Sequence, residues 1–439
     1  MGHLPRLKTE KIMKLLKTSL ITTTALTLSL STAAFADSNE AYLDQQDVAN
    51  SAIVDQSGGD NNKAGSAGLK MTQDGFTAAD GYNQLSITQS SDNNEIGLIG
   101  SGVSQVGKAS NPGAVSSNVA TVTQSGGGSN VIGELVQFHN GGPGSAGVPN
   151  TLTVKQNGTS NNITTINQEG KVNDRNTATI TMSGTSDNID LVQQKVSNNG
   201  SGDNTLTITM NGVSNGIGDF TGFANGSGAV AAHFRQFNAT RTNANVIIGG
   251  TGNLVGTYQQ GKDNDVGTLE VTGDNNQLGV LQHGNSNLVN VAAIAGNGNN
   301  VGISQMGNTN GASVTVTNDN NAFGVLQNGN DNSATVSVFG DGNGLTGTTP
   351  LLAGSALAAA GSHVSFEAGL IQQQGNDNTV LASVTGNNNL FGTLQWGADN
   401  SITATVNGNS NQSAVVQVGS SNTASFSQTG GTNNAGIIQ

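Results

Sequence analysis

The chain has 439 residues, and its five histidines stand at His3, His139, His233, His283 and His363. They are scattered, and none sits at a metal-binding spacing. The acids fall mostly in turn-like contexts rather than paired on strands. No serine, histidine and aspartate can be assembled into a triad. The glycine-rich turns lack the lysine and the following helix of a phosphate loop. Aspartates recur in successive turns at Asp331, Asp377 and Asp399. A calcium-binding repeat of that kind needs G-G-x-G-x-D, which is absent, so these read as solvated turn aspartates. The expectation is a protein that is not an enzyme, with no cofactor and no catalytic or metal site. The chemistry that remains belongs to amides: asparagine and glutamine recur with a regularity that no other polar residue shows.

That regularity has a period. From Asn378 the chain reads N-x-ψ-x-ψ-x-(Q or ψ)-x-G-x-x, with ψ apolar or small, restarting at Asn389, Asn400, Asn411, Asn422 and Asn433. Alternation over the first nine positions is strand periodicity. The G-x-x piece before the next asparagine is turn chemistry. Each arm is therefore a strand of about seven residues closed by a tight turn. Arms come in two kinds, so the full period is 22. One kind carries glutamine at its seventh position, at Gln327, Gln373, Gln395, Gln417 and Gln439. The other carries Val316, Val338, Val384 or Val406 there, and Gln428 interrupts it. The phase runs upstream through Gln305, Gln282 and Gln259 with one-residue slips. Earlier copies stand at Asn50, Asn118, Asn150 and Asn204. Glycine- and alanine-rich stretches at 63–82, 107–117, 138–149, 216–229 and 343–366 read as insertions or degenerate arms.

A repeat that cannot bury its own face must stack on copies of itself. Two strands joined by a turn, both burying the Asn–ψ–ψ–Gln face, make a flattened coil. The predicted fold is all-β: a β-solenoid of about 22 residues per coil, with two parallel sheets face to face and an amyloid-like rung spacing of ~4.8 Å. Some 16 to 18 rungs would give a rod on the order of 80 Å. In such a stack Gln282, Gln305, Gln327, Gln373, Gln395, Gln417 and Gln439 form one amide ladder. Asn378, Asn400 and Asn422, and likewise Asn389, Asn411 and Asn433, form others, because a buried amide needs partners for its donors and its acceptor. Gly375, Gly386, Gly397, Gly408, Gly419 and Gly430 supply the turn conformation. Composition agrees with a narrow interior: 63 glycines, 4% aromatic residues and 10% charged residues.

The N-terminus carries a leader pattern. Lys14 and Lys17 precede an apolar run from Leu20 to Leu30, and Ala34-Phe35-Ala36 is a cleavage site for a secretory signal peptide. The run is too short to span a bilayer, and no later segment is apolar enough for stable membrane insertion. The domain reading is 1–36, extension and signal peptide; 37–49, a non-repeat N-terminal segment; and 50–439, the repeat solenoid with insertions. Removing 1–36 leaves 10 basic against 27 acidic residues, a net charge of −17, which argues against nucleic acid as a partner. With no cysteine, an exported chain must hold together without disulfides.

The segments QSGGDN (56–61), QNGTSN (156–161), QHGNSN (282–287), QNGNDNSATV (327–336), QWGADNSITATV (395–406) and QVGSSNTASF (417–426) resemble the repeat of curlins, the subunits of bacterial curli amyloid fibres. The resemblance covers most of the chain beyond the leader. It implies export to the periplasm, passage through an outer-membrane secretion pore with a periplasmic chaperone, and nucleated self-assembly into cell-surface fibres for adhesion and biofilm matrix. It also implies a secretion-targeting role for 37–49. The chain departs from curlins in its valine-type arms and in having some three times as many repeats, which leaves major subunit and nucleator as alternatives.

A second function class stays open: a monomeric secreted solenoid that binds ice, carbohydrate or a surface through its outward Thr and Ser, such as Ser313, Thr315 and Thr317 or Ser401, Thr403 and Thr405. The sequence ends in mid-phrase on Gly436-Ile437-Ile438-Gln439 without a polar cap, which points to addition of another subunit. The outward positions of the glutamine-type arms, Leu281, Leu326, Leu370, Leu394, Val416 and Ile438, line up as an apolar ridge for lateral contact between fibres.

Overall fold

The computed structural model describes residues 25–27, 38–47, 50–75, 81–109, 116–141, 149–171, 174–196, 202–344 and 368–439. The expected cleavage site and most of the leader lie outside the described residues, as does nearly all of the insertion expected at 343–366.

The described chain is a β-solenoid of two parallel sheets. Strands alternate between the sheets along the chain, so each coil adds one level to both. One sheet has 15 strands in simple sequence order, running from Ala25–Thr27 and Asn50–Asp55 to Ser401–Asn407 and Thr423–Thr429. The other also has 15 levels, and its first three are each split into two strands: Glu40–Ala41 with Leu43–Asp47, Lys63–Ala64 with Met71–Gly75, and Glu95–Ile96 with Val103–Ala109. Its last described strand, Asn434–Ile438, pairs among the described residues only with Gln412–Ser420, so the described sheet is open. At ~4.8 Å per level the rod is roughly 70 Å long.

Register is set by the alternation itself. Slipping a strand by one residue would move its apolar set to solvent. Ser333–Phe339 stacks on Thr379–Thr385 with Val336 over Ala382 and Val338 over Val384. These side chains point inward and are buried, while Thr335 and Ser337 face out. One continuous core runs from Ala52 to Ala424 between the sheets. Each buried Val or Ile contributes roughly 1.5–3 kcal/mol. Large residues are admitted where the neighbouring level is small: Gly369, whose backbone bonds to Gly324 and Phe391, stands between the levels of the buried Phe323 and Phe391.

One expectation needs correction. Within the segment 37–49, residues 40–47 are not outside the repeats: their strands pair in register with the next level, Glu40 beside Lys63 and Leu43 beside Met71. Loops at 65–70 and 97–102 interrupt the early strands and hide the period. Of the two readings of 216–229, insertion or degenerate arm, the structure shows the insertion. It contains the short helix Gly222–Gly226, which packs on the outside of three glutamine-sheet strands, Gln277–His283, Asn300–Met306 and Ala322–Asn328.

That packing also changes the apolar ridge. A side chain on Gly302 would meet the Phe223 carbonyl at 2.0 Å, and one on Gly324 would meet the Phe223 ring at 2.6 Å, so the covering segment lies directly in the glycine groove. Leu281, Leu326 and Leu370 are half-buried. Leu394 and Val416 are buried and pack together. Of the six predicted ridge residues only Ile438 is fully exposed, at 48%. The strip is therefore not an open lateral surface.

Candidate functional site: the amide files

Inward-facing glutamines of the second sheet form one unbroken file. Gln45 donates from Nε2 to Gln73 Oε1 at 2.6 Å, and the same bond repeats through Gln105, Gln137, Gln168, Gln194, Gln236 and Gln259. It continues from Gln259 to Gln282, Gln305, Gln327, Gln373, Gln395, Gln417 and Gln439 at 2.8–3.1 Å. From Gln73 onward each Nε2 also reaches at least one backbone carbonyl; Gln305 donates to Leu288 and Asn310 at 3.1 Å. A buried amide thus has both its donor and its acceptor satisfied, which is the condition for placing it in a core.

Two asparagine files close the turns. Asn378, Asn400 and Asn422 belong to the one before the first sheet, and Asn389, Asn411 and Asn433 to the one before the second. From Asn253 and Asn264 onward each Oδ1 accepts the backbone N–H of the asparagine one coil later, and in most levels its Nδ2 as well. Asn411 Nδ2, for instance, donates to Asn389 Oδ1 at 3.1 Å and to the Gly430 carbonyl at 2.9 Å. The carbonyls so used belong to the turn glycines. Gly375, Gly386, Gly397, Gly408, Gly419 and Gly430 all have φ between +105° and +129°. Asp331, Asp377 and Asp399 sit two residues further on, at φ near +56°. Among the described residues no group of three or more His, Cys, Asp or Glu could hold a metal ion.

Sequence reasoning missed a second glutamine file. In the first sheet Gln56, Gln89, Gln124 and Gln156 bond in succession at 2.7–2.9 Å, and Gln156 then meets the Met182 sulfur at 3.9 Å. From there the column turns apolar, through Met210, Ile248 and Val271 to the valines. The Q-S-G and Q-N-G phrases at 56, 124 and 156 were the available signal. A fixed 22-residue period concealed it, because bonded glutamines lie 26–42 residues apart in the early coils of the two files and, apart from the 46 between Gln327 and Gln373, 22–23 apart from Gln236 onward.

One file member is a carboxylate. Asp187 stands between Asn161 and Asn215; its N–H donates to Asn161 Oδ1 at 3.1 Å, and its Oδ1 accepts the backbone N–H and Nδ2 of Asn215 at 2.9 and 3.0 Å. Its Oδ2 is buried without a partner. In the neighbouring levels that position holds an Nδ2 that donates to a glycine carbonyl, as Asn161 does to Gly184 at 3.1 Å. At this level Oδ2 and the Gly212 carbonyl oxygen crowd the same side of Gly184, acceptor near acceptor. Burial pushes the carboxyl above its usual value, while the two Asn215 bonds pull it down. An acid raised in the folded state favours folding below its ordinary value, and that contribution is lost as pH rises through the raised one.

Asp187→Asn is therefore expected to raise the guanidinium midpoint at pH 7, by about 1–3 kcal/mol in stability, and to leave it unchanged near pH 3. Equal midpoints at pH 7 would contradict the assignment. His139 acts in the opposite direction in both proteins. Burial lowers it to about 4, so its contribution is present above about 6.5 and lost as pH falls towards 4.

No family model matches the chain, and no curated protein matches it.

Proposed function

We propose that this chain is an exported structural subunit that stacks end to end into curli-type amyloid fibres on the cell surface, serving adhesion and the biofilm matrix. The observation that carries this reading is the continuity of the glutamine file. From Gln45 to Gln439 every level offers the next the same inward amide at the same place. A level of one copy therefore finds on a level of another the donors and acceptors that it finds within its own chain. The repeat phrases that resemble curlins support an outer-membrane pore, a periplasmic chaperone and a nucleator subunit as partners.

Fibres of the secreted protein are expected to give a meridional reflection near 4.8 Å, and preformed fibres are expected to abolish the lag of fresh protein. A protein that stays monomeric for days at high concentration and shows no seeding would refute the proposal.

A second reading has a specific observation behind it. On the outer face of the first sheet Thr177, Thr179 and Thr181 stack in register on Thr205, Thr207 and Thr209, with Thr151 and Thr153 on the next level. This flat threonine grid suits ordered water, so the monomeric alternative is an ice-binding rod. Thermal hysteresis measured on monomer separates it from the fibre reading.

A further inference from the structure

The chain carries a net charge of −13, yet one place on the outside of the rod gathers an arginine, two histidines and an aromatic ring. It is a cleft of about 300 Å³ between residues 228–230 of the covering segment and the strands His233–Thr240, Leu254–Lys262 and Gln277–His283. Arg235, His233 and His283 line it, with Tyr258, Gln260 and Leu281.

Arg235 is unusual among the described arginines. Arg175 and Arg241 each pair with an aspartate at 2.6–2.7 Å. Arg235 forms no ion pair among the described residues. Its Nε donates to Gln193 Oε1 at 3.0 Å, and its guanidinium lies 5.4 Å from the Phe237 ring centre and 5.1 Å from that of Tyr258. The group is held in place by an amide and two rings, and its terminal amino groups have no carboxylate. A fork fixed in this way is suited to a bidentate carboxylate. Tyr258 donates its hydroxyl to Gln260 Oε1 at 2.9 Å, which leaves the Gln260 amide hydrogens free to meet hydroxyl groups. Leu281 and the half-exposed Val230 supply an apolar wall. A volume near the lower end of small-molecule sites fits one sugar ring.

We propose that this cleft binds a carboxylate-bearing sugar, a hexuronate unit of an acidic polysaccharide. The carboxylate sits on Arg235 with the histidines beside it, the hydroxyls face Gln260, and the ring face lies against Leu281 and Val230. Inorganic phosphate matches the charge but leaves the apolar wall unused, and a neutral hexose leaves Arg235 unpaired. The site lies within a single rod, so it is independent of fibre assembly.

The test is calorimetric titration of the freshly purified monomeric chain with galacturonate, galactose and inorganic phosphate. Galacturonate is expected to bind in the millimolar range, about tenfold or more tighter than galactose and than phosphate. Arg235→Gln should remove most of that difference while the strand signal in circular dichroism persists. If Arg235→Gln loses the strand signal, His283→Gln, at an exposed strand end, should weaken galacturonate binding about threefold and leave galactose unchanged. No binding of galacturonate at about 20 mM, equal binding of galactose or phosphate, or affinity unchanged in the folded variant would overturn the proposal.

Discussion

Gly397→Ala is expected to be among the most destabilising single substitutions in the chain. Gly397 sits at φ +129°, a region that L residues avoid, and a Cβ there would fall 1.9 Å from the Gly419 carbonyl oxygen one coil on. The backbone strain alone is worth ~1–3 kcal/mol, and the overlap can be relieved only by moving two stacked turns apart. The same carbonyl accepts Asn400 Nδ2 at 2.9 Å, so separating the turns also loosens the asparagine file. A total above ~3 kcal/mol follows. Repeat arrays open locally rather than all at once. The sensitive measurement is therefore hydrogen exchange of the amides around Asn400 and Asn422. Gly311→Ala is the control: its Cβ would meet nothing within 4 Å, and no positive φ is recorded there. Similar exchange in the two variants would mean that stacked turn carbonyls do not hold the coils together.

The second large effect concerns burial of an amide file. Asn310 donates from Nδ2 to Asn287 Oδ1 at 3.1 Å and to the Gly329 carbonyl at 2.8 Å, and its Oδ1 accepts the N–H and Nδ2 of Asn332 at 3.1 and 3.0 Å. Asn308, two residues earlier, belongs to a similar file on the outside, with Asn285 and Asn330 as partners at 3.0 and 3.1 Å. The local geometry is alike and the surroundings are not: Asn310 is fully buried and Asn308 is exposed. Asn310→Ala strands the Asn332 N–H and the Gly329 carbonyl away from water, at a cost on the order of 2–5 kcal/mol. Asn308→Ala leaves its former partners to water and should cost within about 0.5 kcal/mol. Guanidinium midpoints and hydrogen exchange at residues 287–332 read the difference. Equal losses would show that the stacking of amides, rather than their burial, sets the stability.

Much of this architecture is legible in the sequence, for a local reason. Period-two alternation states which side chains of a strand share a face, and a fixed distance to the next copy states what stacks on what. Asn378, Asn400 and Asn422 could be assigned to one file before any coordinates, and so could the glutamines from Gln282 to Gln439. The turn glycines announced themselves in the same way. The early coils were harder, because the loops at 65–70 and 97–102 stretch the spacing. Local pattern survives there in phrases such as Asn118 to Gln124, while distance no longer identifies the neighbour.

What the sequence by itself determined was the alternation, the turn chemistry and hence a parallel stack of amide-lined coils. What only the tertiary structure decided was everything set by contacts far apart in the chain. The stretch 217–232 has no periodicity of its own, and nothing local says that Phe223 will lie over Gly302 and Gly324, some 80–100 residues later. That segment covers the apolar strip over Gly302 and Gly324, which the alternation alone left open, and its residues 228–230 form one wall of the cleft beside Arg235. Asp187 reads as one more turn aspartate in the phrase Ser186-Asp187-Asn188. Only the stack above and below places it in a file of asparagines, where a missing donor acquires an energetic cost. Strand periodicity records which way a side chain points; what meets it there depends on which levels and loops the folded chain brings alongside.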